Sequence, residues 1–296
     1  MNLSPRSFAY VSELVRREAA IVLETGKEYL VEARLQPLAR AGGFANLDAY
    51  VAHLQTPGGF TGRAAVVEAL TTNETSWFRD REPFDVLVAQ VIPDLLARNA
   101  ARRKITVWSA ACSSGQEAYT IAMLLQEHVV SRGFQVEIVA TDIAPSMVQR
   151  TKEGRYSQLE IGRGLPAPLM VKHFQRAGTQ WQVSDQLRSM VRAQTMNLAT
   201  AFPPMPVFDL VFLRNVLIYF DQPTKRSVLQ RVRQVMSPDG YLFLGGAETT
   251  LGVDETWHRQ PVGRLTLNRP RPPASSAGAP TRPAPAFSMP TRQEAI

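Results

Sequence analysis

The chain has 296 residues, a formal net charge of +7 and one cysteine. Its length and apolar content allow one large domain plus a small one. The lone Cys112 excludes an internal disulfide, and His53, His128, His173 and His258 lack metal-ligand spacing, so no metal is expected.

No apolar run reaches the length needed to cross a bilayer, and the first twenty residues carry charges where a signal peptide keeps its apolar stretch. The expectation is a cytoplasmic protein without membrane insertion. After Leu267, four arginines face one glutamate and account for three of the net positive charges, which leaves the folded part mildly basic. That speaks against nucleic acid as the partner and keeps an acidic protein surface open.

From Ser7 to about Arg40, Phe8, Val11, Leu14, Val15, Leu30, Leu35 and Leu38 recur at helical steps. Gly42-Gly43 ends this section. A further helical run follows Leu47, Thr56-Pro-Gly-Gly59 breaks it, and a helix is predicted from about Arg63 to Leu70. Residues 1–70 thus read as a small all-helical domain. Residues 71–100 form a linking segment with a bridging helix from about Pro83 to Ala97.

From residue 101 to 268, β-branched runs alternate with helical ones: Ile105–Ser109, a helix from Gly115, Val136–Thr141, Phe208–Leu213, a helix from about Gln222 to Met236, and Gly240–Gly245. This predicts an α/β fold with a parallel sheet, closed by a strand over Val262–Leu267. Between about 155 and 191 the breakers Gly162, Gly164, Pro166, Pro168 and Gly178, with Trp181–Val183 as a strand, indicate a small antiparallel insertion. Residues 269–296 are proline-rich, with seven prolines from Pro270 on and no apolar periodicity, and are expected to be disordered.

Three strand ends carry polar groups at one edge of the sheet, where open α/β sheets bind ligands. After Val107–Ser109 comes a turn of small residues, Ala110-Ala-Cys-Ser-Ser-Gly115, either a plain connection or a seat for a nucleotide-like ligand. It offers only Gly115 where a dinucleotide fingerprint needs three glycines. Asp142 fits two roles, acceptor for a ribose or cap of the helix ahead of Pro145. Arg214-Asn215 ends the third strand, as a ligand contact or a solvated terminus.

Taken together, Thr71-Thr-Asn-Glu-Thr-Ser-Trp-Phe-Arg-Asp80 with Phe84, Ser109–Tyr119, Ala140–Ile143, and Phe208–Phe220 with its Arg-Asn-Val-Leu-Ile-Tyr-Phe resemble the CheR family of chemotaxis receptor methyltransferases. The resemblance runs to about Leu267. It implies a Rossmann-like S-adenosylmethionine methyltransferase sheet behind the helical domain, with S-adenosylhomocysteine as product. By resemblance, Asn73, Thr75 and Arg79 contact the cofactor, Glu117 its methionine or ribose end, and Asp142 the ribose or base. Asn197 and Leu198 fall near the adenine, and Arg214 and Asn215 near the reacting centre. Departures are Gln116, where an acidic residue is frequent, and Trp77 in place of a common aromatic. The rings of Trp77 and Phe78 read as core packing.

The implied reaction esterifies glutamates on the cytoplasmic helices of chemoreceptors. The nucleophile is ionised near neutral pH, so no general base is required and no catalytic residue is assigned. Arg79 and Arg214 are candidate holders of the substrate charge. Tyr219 is a candidate orienter, although its spacing favours the core. Arg16, Arg17, Arg34 and Arg40 are candidates for docking the acidic receptor, or a solvated helix face. The short turn Gln175–Gln180 suggests independence from a receptor peptide, and a monomer is expected. Rival readings are a cofactor-binding regulator without turnover, and a methyltransferase with another substrate. Against an amino-directed nucleic-acid enzyme, Arg214-Asn-Val-Leu217 stands where such enzymes carry Asn or Asp before Pro-Pro-aromatic.

Overall fold

The computed structural model describes residues 3–271. The proline-rich segment beyond Arg271, for which disorder is expected, lies outside the described residues.

Four helices open the chain: α1 (Pro5–Ala19), α2 (Glu28–Ala41), α3 (Leu47–Leu54) and α4 (Phe60–Leu70). Ser4 and Asn46 cap α1 and α3 by accepting from Ser7 N and Ala49 N. The helical pattern from Ser7 to Arg40 is interrupted at Ala20, which is left-handed at φ 56°. Arg34 of α2 donates to the carbonyls of Ala69, Leu70 and Thr71, satisfying the C-terminus of α4. The bridging helix runs as α5 (Glu82–Val86), a π turn (Leu87–Val91) and α6 (Ile92–Arg98). Its register slips where Ile92 N bonds Leu87 O, one residue before Pro93, which has no N–H to continue the ladder.

The main sheet comprises β1 (Lys104–Ala110), β2 (Gln135–Asp142), β6 (Val191–Thr195), β7 (Phe208–Leu213), β8 (Met236–Leu244), β9 (Trp257–Val262) and β10 (Leu265–Pro270). Its order is β6-β2-β1-β7-β8-β10-β9. The first five pair in parallel, and β10 and β9 are antiparallel. Helices α7 (Gln116–His128), α8 (Pro145–Glu153) and α12 (Gln222–Gln234) make the crossovers. From β1 the chain winds outward to β2 and later, on the opposite side, to β7, so a topological switch point lies beside β1.

Between α8 and β6 lies the insertion: β3 (Arg155–Ser157), α9 (Gln158–Ile161), α10 (Ala167–His173), β4 (Phe174–Ala177), β5 (Gln180–Val183) and α11 (Asp185–Met190). Its strands form an antiparallel sheet in the order β3-β5-β4.

Two expectations are corrected at the C-terminal end. Val262–Leu267 is not one strand: it holds the last residue of β9, a turn at Gly263-Arg264 and the first three residues of β10, because Gly263, at φ 61°, reverses the chain. Order also extends past residue 268: Pro270 pairs with Trp257 and Arg271 N bonds Thr256 O. Pro270 is tolerated at a strand end, where its missing donor breaks little of the ladder.

The strands bury alternate residues on two faces. Ile105, Val107, Leu210, Phe212 and Phe243 pack with α5 to α7 and the insertion. Trp108, Phe208, Val211, Leu242 and Leu244 form one continuous core with Val11, Leu14, Leu35, Val51 and Val66 of the helical domain. The helical domain therefore shares its core with the sheet, which fixes its position over the carboxyl ends of the strands.

Candidate active site

After β1 the chain makes a tight descent to α7 in which Ala111, Ser113 and Gly115 have φ of 56°, 51° and 93°. Glycine is required at 115, since a Cβ there would lie 2.8 Å from Thr151 Oγ1 and 3.0 Å from the Tyr156 hydroxyl. Ser113 N donates to Asp142 Oδ2 at 2.8 Å, and Ala144 N to Oδ1 at 2.9 Å. Asp142 thus joins two strand-end loops. The residue capping α8 is Ala144, not Asp142. Burial raises the Asp142 pKa above its ordinary value, opposed by the backbone bonds from Ala144, Ser113 and Ile143.

At the end of β7, Arg214 has a side chain 1% exposed. It donates to Glu117 Oε2 at 3.0 Å, to Asp80 Oδ2 at 2.6 Å and to Arg79 O at 2.9 Å, and stands over the Phe84 ring. Glu117 also accepts from Ser109 Oγ at 2.8 Å. Burial raises the Glu117 pKa, while Arg214 and Ser109 pull it down. With both carboxylates ionised, Asp80, Arg214 and Glu117 carry one net negative charge. Arg214 is thereby committed, which removes it as a holder of substrate charge. Arg79 donates from Nη1 to Glu74 O at 2.9 Å and is the cation in the cavity wall that forms no ion pair among the described residues.

The segment Thr71–Asp80 has little regular structure and is held from outside. Phe78, Asp80 and the following Arg81 have φ of 48°, 65° and 48°, a concentration of left-handed non-glycine backbone that persists only under external constraint. Trp77, 1% exposed, packs edge-on against Tyr156 at 4.9 Å and Phe174 at 5.3 Å in the insertion, and its backbone N–H donates to Arg163 O. Ser113 Oγ donates to Asn73 O at 2.7 Å. Trp77 is core, as its ring suggests, and the insertion is the anchor that presents Asn73, Thr75 and Arg79.

On the opposite side, Asn197 Nδ2 donates to Glu18 O at 2.6 Å, tying the end of α1 to the sheet. Ala19 and Ile21 of the helical domain border the cavity, and Val22 N bonds Tyr219 O at 2.9 Å. Tyr219 is half-buried, packing on the core with one side and lining the cavity with the other.

Asn73, Thr75, Arg79, Glu117, Asp142, Asn197, Leu198, Arg214 and Asn215 all border this one cavity. Sequence reasoning missed Ala19, Ile21 and Met196 in its wall. The left-handed Ala20 that turns Ile21 inward leaves no periodic signature. The donor set suits a cationic nucleoside: buried carboxylates at Glu117 and Asp142 for positive charge and hydroxyls, Arg79 for a carboxylate, and apolar Ile143, Leu198 and Phe220 for a flat base.

Comparison with known proteins bears on the same cavity. The model of the CheR methyltransferase S-adenosylmethionine-binding domain matches residues 73–262, and that of the CheR methyltransferase all-alpha domain matches residues 6–71. The chain belongs to the CheR methyltransferase family. A chemotaxis protein methyltransferase of Pseudomonas aeruginosa is 40% identical over 253 residues, 84% of this chain and 92% of the relative. One from Pseudomonas putida is 38% identical over 86% of this chain and 94% of the relative, and one from Vibrio parahaemolyticus 37% over 86% and 93%. This CheR protein is an S-adenosylmethionine-dependent methyltransferase of chemotaxis, with the Rossmann-like sheet, helical N-terminal domain and antiparallel insertion expected of it. Among the described residues no helix is long and apolar enough to cross a membrane.

Proposed function

We propose that the enzyme methylates glutamate side chains on the cytoplasmic helices of a chemoreceptor, giving glutamyl methyl esters, and that it acts as a cytoplasmic monomer. The observation carrying this reading is the unequal commitment of the two cavity arginines: Arg214 is neutralised by Asp80 and Glu117, whereas Arg79 keeps guanidinium donors for an incoming carboxylate. The printed names of the relatives, chemotaxis protein methyltransferases, agree with it.

Bound S-adenosylmethionine supplies an electrophilic methyl group on a sulfonium. Glu117, Asp142, Asn73, Thr75 and Arg79 are the residues that would hold it, with Asn197 and Leu198 at the adenine and Arg214 and Asn215 near the reacting centre. The remaining work is positioning. A glutamate is already ionised near neutral pH, so the site supplies no base. Arg79 attracts the carboxylate, the Tyr219 hydroxyl orients it, and Phe84 and Phe220 exclude water that would solvate it.

Docking on the acidic receptor helices falls to Arg40, and to Arg16 and Arg17, whose exposed guanidinium groups form surface ion pairs with Asp221 and Glu18, and not to Arg34, which is spent on the α4 terminus. The hairpin joining β4 to β5 turns through Gly178-Thr179 alone, in keeping with docking that does not use a receptor peptide.

The test is incubation with S-adenosylmethionine and receptor cytoplasmic fragments, followed by peptide mass spectrometry. Methyl groups on glutamates are expected; methylation confined to lysine, or cofactor binding without any receptor methylation, overturns the reading.

A further inference from the structure

Glu248 borders no part of the cavity and belongs to no motif, yet its carboxylate gathers four backbone N–H groups. Oε2 accepts from Gly245 N at 2.7 Å and Asn215 N at 2.8 Å; Oε1 accepts from Val216 N at 2.8 Å and Leu217 N at 2.6 Å. Three of these donors are consecutive, and they open the segment that carries Asn215, Val216, Tyr219 and Phe220 to the cavity wall. Asn215 within it is left-handed at φ 59°, a backbone state that a non-glycine residue keeps only when surrounding contacts hold it.

A second observation shows that space is cleared for this contact. A Cβ at Gly245 would lie 2.7 Å from Asn215 Nδ2, 2.8 Å from Glu248 Oε2 and 2.9 Å from Asn215 N. The residue is glycine because a side chain there would fill the space that Asn215 and the Glu248 carboxylate occupy where the loops after β7 and β8 meet.

We propose that Glu248 is a positioning residue for methyl transfer: it fixes the segment from Arg214 to Phe220 in its working shape before any ligand arrives. The inference rests on the reading that this cavity holds S-adenosylmethionine. An ionised carboxylate suits the task because it offers only acceptors, on two oxygens, and so can serve all four donors. A glutamine has the same shape but presents an NH2 group to two of them, leaving those N–H groups opposed by a donor. The cost of ordering the cavity wall is then met during folding, not during binding.

The experiment compares wild type and Glu248→Gln, well below the melting temperature of each, by calorimetric titration with S-adenosylhomocysteine and by methyl-transfer kinetics on receptor fragments. The expected result for the variant is affinity lower by on the order of tenfold and a reduced kcat, with the KM for receptor unchanged. Glu248→Ala is expected to regain part of both when acetate is added, and not with chloride at equal ionic strength. A variant that melts at lower temperature but keeps wild-type affinity and kcat overturns the proposal, leaving Glu248 a merely structural group. Should the variants not fold, amide exchange on the wild type decides: slow exchange at residues 215–217 without ligand supports the clamp, and exchange as fast as in an open loop overturns it. Wild-type protein that fails to bind S-adenosylhomocysteine removes the underlying reading first, and this inference with it.

Discussion

Arg214 Nη1 lies 3.0 Å from Glu117 Oε2, joining the end of β7 to the first turn of α7 inside the cavity wall. Both side chains are largely withdrawn from solvent, 1% and 14% exposed, so neither tolerates loss of the other. Arg214→Met should destabilise the fold by about 3–5 kcal/mol, because it strands a buried carboxylate. Adding Glu117→Gln should recover part of that loss. Urea denaturation of the single and double variants measures both; additive losses contradict the coupling.

The raised pKa values of Asp142 and Glu117 have opposite consequences for stability and for binding. Both carboxyls hold protons more tightly in the folded state than in the unfolded chain. Their contribution to stability is therefore fully present below the unfolded pKa and is lost as pH rises through the folded pKa. Cofactor binding should move the other way, since Asp142 accepts hydroxyl hydrogens best when ionised. Affinity for S-adenosylhomocysteine is expected to fall as pH is lowered toward the raised pKa of Asp142, and Asp142→Asn should bind weakly with a flatter pH profile. Wild-type affinity that holds constant down to the ordinary value of 3.8 contradicts the role.

The insertion should govern cofactor affinity from a distance. A Cβ at Gly164, whose φ is 100°, would lie 2.4 Å from Trp77 O. Gly164→Ala is expected to push Trp77 and the segment bearing Asn73, Thr75 and Arg79 away from the cavity, weakening S-adenosylhomocysteine binding. Trp77→Ala should cost about 3–5 kcal/mol in thermal or urea unfolding by emptying the space between Tyr156 and Phe174. Unaltered affinity in Gly164→Ala shows that the segment is held by other contacts.

Arg34 and Arg40 lie on the same helix and should behave differently. Arg34→Ala removes the donors to three carbonyls at the end of α4 and is expected to lower stability by about 1–3 kcal/mol. Arg40, exposed in the last turn of α2, should leave the melting temperature nearly unchanged when replaced by alanine and instead weaken receptor methylation at low salt. Equal melting temperatures for the two variants contradict the capping role.

What was legible in the sequence follows from the range of the interactions involved. Strands show themselves by β-branched runs and helices by three- and four-residue spacing, so the parallel sheet and its crossovers were readable. Because ligands gather beyond the carboxyl ends of such strands, Asp142, Arg214 and Asn215 could be placed from position alone, while Asn73, Thr75, Arg79, Glu117, Asn197 and Leu198 came through the family resemblance. What escaped was set by contacts distant in sequence. Ile21 reaches the cavity because Ala20 adopts a left-handed turn, and Glu248 reaches the β7 loop across 33 residues. Arg34 read as a free docking charge because the carbonyls it satisfies lie some 35 residues onward. The β9–β10 hairpin was hidden within an apolar run whose reversal depends on one glycine, Gly263.

The most direct measurement of the central claim is transfer of labelled methyl from S-adenosylmethionine to receptor cytoplasmic fragments, followed by mild alkali. Release of the label as volatile methanol, with little transfer by Arg79→Ala, is the predicted result for a glutamyl ester formed at this cavity. Label that stays on the protein through alkali, or full transfer by Arg79→Ala, contradicts it.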